Sequence, residues 1–203
     1  MQFRLVYQGP LPSGGNKSNK PEVKQAIREQ FHPQLKELWR THPFLKNYFE
    51  MQLEGGSFPE HVGSRFAFCG YRFVPLIGST FRGGGDVDGP PDVACSLDIL
   101  ILRRDHPAQS IVQNGGDVDN RIKILFDALH IPQSCSGIKE PEDSDNVRFC
   151  LLEDDKLITE VKISTGQLLV APPPGGHPDQ YAHVIIHVKT LVIGASGFIA
   201  FMA

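Results

Sequence analysis

Apolar residues recur along this chain at two spacings, and each spacing marks out elements. Residues 3–7 (Phe-Arg-Leu-Val-Tyr) alternate well enough for a strand, which the turn-rich run from Gly9 to Asn16 then ends. Behind Ser18 or Asn19 as a cap and Pro21 near the first position, Val23, Ala26, Ile27 and Phe31 give a helix its apolar face. Leu35, Leu38 and Trp39 continue that stripe past Pro33, whose missing backbone donor is expected to kink or restart the helix. Residues 66–68 and 71–77 are candidate strands parted by Cys69 and Gly70, with Pro75 favouring an edge or a bulge. The run at residues 97–102, Leu-Asp-Ile-Leu-Ile-Leu, is too apolar for an exposed strand and suits a central one.

Further on, Ile122, Leu125, Phe126 and Leu129 fall at i, i+3, i+4, i+7 and predict a second helix. Residues 149–152 and 157–164 read as strands. So does a final run in which Val184, Ile186 and Val188 face one way and His183, Ile185, His187 and Lys189 the other. The segment 130–148 lacks periodicity and is long for a connection inside a domain. Together these elements predict an α+β fold: a single domain over 1–203, with a mixed sheet covered by helices and no repeat of domain scale.

Composition narrows the function classes. Lys and Arg total 20 against 23 Asp and Glu, so no bulk positive field draws the chain to nucleic acid or to an anionic membrane. An anionic partner must therefore be held locally. Cys69, Cys95, Cys135 and Cys150 form no CxxC pair, which argues against a zinc ribbon and predicts reduced thiols in a cytoplasmic protein. The opening residues read as a strand rather than a secretion signal, and the apolar run 191–203 is shorter than the roughly 20 residues of a transmembrane helix. No membrane association is expected.

The chemistry concentrates where the central strand gives way to the second helix. Gly115 and Gly116 form a turn, Asp117 and Asp119 follow, and the apolar stripe begins without a break. One aspartate caps a helix start by accepting from its orphan N–H groups. Two are more than a cap requires, and with a third carboxylate from a nearby turn they suit Mg²⁺, which takes oxygen ligands and keeps water positions open. Lys123, one turn after Asp119, reaches the same space and would steady a phosphoryl oxygen. Alternatively, Lys123 with Asp119 and Asp127 is a surface ion-pair ladder, and Asp154 with Asp155 an ordinary turn. Arg103, Arg104 and Arg121 flank the junction as candidate contacts to DNA phosphates. The loop around Asp86 and Asp88 echoes the Gly-Asp-Val-Asp run, but Pro90 and Leu97 stand where calcium ligands would be needed.

The run Gly116-Asp117-Val118-Asp119-Asn120, then Lys123 and Phe126-Asp127-Ala128-Leu129, then Asp154-Asp155 leading into a strand, resembles the RusA family of Holliday-junction-resolving endonucleases. The likeness covers the N-terminal strand, with Pro10, Pro12, Ser13 and Asn16 after it, and roughly residues 97–165. It implies a RusA-like domain with insertions at about 42–91 and 130–148, catalytic Asp117, Asp119 and Asp155 with Lys123 in support, and Asp154 as a further metal ligand. It also implies Mg²⁺ as cofactor, with Mn²⁺ as substitute, and a homodimer that cuts branched DNA. Two rival readings are a non-catalytic nucleic-acid- or protein-binding module that keeps the fold, and a nuclease of the same chemistry acting on flaps or forks.

Overall fold

A computed structural model of the chain describes residues 1–12, 21–43, 45–46, 67–78, 93–104, 117–138, 146–171 and 180–192; for Asp117 and Val192 it describes the backbone alone. The elements are β1 (Gln2–Pro10), α1 (Pro21–Thr41), β2 (Ala67–Phe68), β3 (Tyr71–Ile77), β4 (Val93–Arg103), α2 (Asp117–Leu129), β5 (Val147–Leu152), a 3₁₀ turn (Asp155–Leu157), β6 (Ile158–Gln167) and β7 (Tyr181–Val192). The architecture is α+β. Outside the described residues lie the expected cap at Ser18 or Asn19, the Asp86/Asp88 loop, the Gly115-Gly116 turn, the acidic run from Glu140 to Asp145 and the C-terminal apolar tail beyond Val192.

Where one mixed sheet is expected, the strands form two. The larger runs β1-β7-β4-β6, antiparallel except for β4 beside β6, and the smaller runs β2-β3-β5, with β3 parallel to β5. β4 lies inside the larger sheet, as its apolar run predicts, and buries Cys95, Leu97, Ile99 and Ile101 on one face. On β7 the alternation also lands as expected, with Val184, Ile186 and Val188 buried. Pro75 sits opposite Cys150 of β5; β2 reaches only as far as Tyr71 and Arg72, so the side of β3 away from β5 has no described strand at Pro75. That is the edge position a proline needs, since it has no N–H to give a neighbour.

α1 packs against β1, β5 and α2, and buries Ile27, Phe31, Leu35 and Trp39. Pro33 does not restart it: the helix is continuous from Pro21 to Thr41, with Pro33 on its exposed side where water can meet the carbonyl left without a donor. Ala26, assigned to the apolar face from the spacing, is exposed. α1 also seals the outer edge of the larger sheet. Gln34 accepts from Val6 N at 2.9 Å and donates to Val6 O at 2.7 Å, and Gln30 does the same for Gln8 at 3.0 and 2.9 Å. Four backbone groups of an edge strand are thereby paired by side chains from one helix face.

The cysteine expectation is corrected. Cys69 and Cys135 form a disulfide across 66 residues of sequence, while Cys95 and Cys150 are free and buried. Nothing in the sequence spacing hinted at the pair, because tertiary contacts create it. The β2–β3 turn, with Cys69 at φ 52° and Gly70 at φ 78°, is brought to the loop after α2 by the pairing of β3 with β5 and by Ile131 N donating to Leu152 O. A small apolar cluster of Tyr71, Phe73 and Cys150, joined by Phe68, Ile131 and Ile138, packs around this crossing.

Candidate functional site

α2 begins at Asp117, and its orientation decides what its polar residues can do. The buried positions are Arg121, Ile124, Leu125, Ala128 and Leu129, with Ile122 and Phe126 only partly covered. The buried stripe is therefore turned by about one position from the one read in the sequence, because Arg121, counted there as a flanking cation, lies on the inner face. Its Nη1 donates to the carbonyl of Leu11, tying the helix start to the end of β1. Arg103 is buried as well, and Arg104 is the member of the predicted trio whose side chain is exposed.

Opposite the buried face, Lys123 Nζ lies 2.9 Å from Asp119 Oδ2, and both side chains are about two-thirds exposed at 65%. This is the expected one-turn pairing. The other half of the proposed ladder is absent: Asp127 turns away from Lys123 and meets Lys24 of α1 at 2.6 Å.

The second acidic element follows β5. Glu153 N donates to Ile77 O at 2.9 Å, and Gly78, at φ 148°, lets the chain pass so close that a Cβ there would lie 2.7 Å from the Glu153 Cβ. Asp154 then caps the 3₁₀ turn, its Oδ1 accepting from Lys156 N at 2.9 Å. That hydrogen bond holds its carboxyl below the ordinary aspartate range. Asp155 opens the turn and is exposed. The turn packs against α2; the residues just before it lie by the C-terminal end of that helix, where Leu152 bridges His130 and Asp154 lines a groove with Gln133, whereas Asp119 lies in its first turn. Among the described residues no three His, Cys, Asp or Glu side chains gather as a metal-holding group, and the side chain of Asp117 is outside that set. A groove of about 300 Å³, lined in part by Phe68, Gln133, Glu153 and Asp154, opens beside the turn.

Sequence reasoning missed a second polar centre at the other end of α2. The Asp127 carboxylate faces Lys24 and, at 3.7 Å, His130 Nε2, while Arg28 Nη2 donates to the Asp127 carbonyl. His130 is buried and its Nδ1 lies 2.6 Å from Ile131 O. Asp127 and the Ile131 carbonyl raise the imidazole above its ordinary value, and His130 with Lys24 pulls the Asp127 carboxyl down to about 2. Only the i,i+3 spacing of Asp127 and His130 was visible in the sequence.

Comparison of the chain with protein-family models, with curated proteins and with solved structures returns no match. The described helices include none long and apolar enough to cross a membrane.

Proposed function

We propose that this protein is a Mg²⁺-dependent endonuclease of the RusA type that hydrolyses phosphodiesters in branched DNA as a homodimer. The observation that carries the reading is the layout around α2. Asp119 and Lys123 lie one turn apart on its exposed face immediately after Asp117, and the Asp154–Asp155 turn packs against the same helix.

The donor chemistry fits the ion, since carboxylates are the hard oxygen ligands that Mg²⁺ takes. Asp117, Asp119 and Asp155 would hold it, with Asp154 beside them, and Mn²⁺ would substitute. When bound, the ion supplies an activated water and neutralises charge on a phosphoryl oxygen. Lys123 offers an ammonium from the same helix face for the scissile phosphate. Arg104 offers an exposed guanidinium for the DNA backbone. Paired copies would address the two strands of a symmetric four-way junction.

The test is cleavage of a synthetic four-way junction in Mg²⁺ or Mn²⁺. Asp117→Asn should abolish cutting and spare junction binding; a variant that cuts at the normal rate refutes the metal assignment. The burial of Arg103 and Arg121 favours a second reading, a non-catalytic nucleic-acid- or protein-binding module. Binding of the junction with no cleavage under either metal selects it, and a panel of flaps and forks tests the remaining substrate classes.

A further inference from the structure

The cleft at the C-terminal end of α2 has the features of a site for a small anion, and it adjoins the groove beside Asp154, with which it shares Pro132 and Gln133. Its volume is about 380 Å³, within the range of small-ligand pockets. α1 contributes Lys24 and Arg28, α2 and the residue after it contribute Asp127 and His130, and the loop held by Cys135 contributes Gln133, Ser134 and Ser136.

The charges do not cancel. Two permanent cations and one imidazole face a single carboxylate, so the walls keep a positive excess in a chain whose net charge is –3. Nor are the hydrogen-bonding groups used up. Arg28 Nε is buried with no hydrogen-bond partner among the described residues, and its Nη2 is held by the Asp127 carbonyl, which fixes the guanidinium at the cleft wall. The side chains of Gln133, Ser134 and Ser136 are exposed on the loop, with no described partner. A tetrahedral anion with several acceptor oxygens matches an ammonium, a guanidinium and a pair of hydroxyls better than a flat carboxylate does.

The loop is also fixed in place. The Cys69–Cys135 disulfide anchors it on one side. On the other, Gly137 lies against the first turn of α1, where a Cβ would come within 2.7 Å of the Pro21 backbone carbon. Ligand groups on so constrained a loop lose little freedom when they bind.

We infer that the cleft formed by Lys24, Arg28, His130, Ser134 and Ser136 is a binding site for a phosphate group, taken as free phosphate or as a phosphate monoester. Isothermal titration of the full-length chain, disulfide intact and at constant ionic strength in chloride, tests it with inorganic phosphate and a nucleoside 5′-monophosphate as probes. Saturable binding with a Kd of about 1 mM or tighter is expected for at least one. Tighter binding of the monophosphate identifies an ester site, and equal binding a site for the phosphate group alone. Lys24→Ala should weaken binding about tenfold or more, the scale of a lost charge-assisted contact. Ser134→Ala combined with Ser136→Ala removes only exposed hydroxyls and should weaken it several-fold, so it decides the matter if Lys24→Ala fails to fold. Absence of saturable heat with either probe up to about 10 mM, or a Kd unchanged in both variants, overturns the inference.

Discussion

Asp127 joins α2 to α1 through Lys24 and meets His130 just past the end of its own helix. Its effect on stability has a sign that can be worked out. The folded carboxyl titrates at about 2, below its unfolded value, so its contribution is complete above about pH 4 and is lost as pH falls toward 2. His130 is shifted the other way: its contribution is complete below its unfolded value near 6.5 and fades as pH rises through the higher folded value. Stability from this pair should therefore plateau between about pH 4 and 6.5. Chemical denaturation across that range checks the prediction, and Asp127→Asn should flatten both limbs; limbs unchanged in the variant would place their origin in other groups. None of this was legible beforehand, because Lys24 is an ordinary helix lysine until the two helices pack. Asp119 with Lys123 was legible, since one turn of a single helix brings them together.

Elements were easier to read than their facing. The alternation in β7 and the apolar run of β4 report burial directly, and both strands lie where the pattern puts them. On α2 the stripe turned by a position because Arg121 satisfies its charge on the Leu11 carbonyl, an inward-facing role that a hydropathy pattern treats as solvent-exposed. The glutamines of α1 were invisible for the same reason. Gln30 and Gln34 sit one turn apart and act as a substitute strand for the edge of β1. Replacing both with alanine should lower the unfolding free energy by about 2 kcal/mol, a fraction of a kilocalorie per hydrogen bond because solvent reaches these groups. It should also promote self-association, since Val6 and Gln8 would then offer unpaired backbone groups. Urea unfolding and light scattering measure the two effects; a variant that matches the parent in both would mean that water serves this edge equally well.

For the molecule as a whole, the disulfide reorganises what the sequence suggested. β2 and β3 fall in the stretch 42–91 and the loop after α2 in 130–148, the two segments that the family likeness leaves unmatched. The disulfide joins one to the other. Closing a loop of this length restricts the unfolded chain by about 4 kcal/mol in the chain-entropy account. Cys135→Ser should accordingly cost about 2–4 kcal/mol, measured by denaturant unfolding of parent and variant under oxidising conditions. Unfolding that is identical with and without the bond would show that it adds nothing to the packing around Tyr71 and Phe73.

The same bond changes what a single break in the backbone means. Inside the ring it closes lie β3, β4 and α2; outside it, β1, α1 and β2 precede Cys69, and β5, β6 and β7 follow Cys135. A protease that cuts once between the two cysteines makes two polypeptides that cannot diffuse apart. The nicked protein would run as one species of full mass until a reductant is added and then as two. A cut outside the ring leaves a piece that separates on denaturation without any reductant. Fragment masses with and without reductant thus report on which side of the tether the chain was opened.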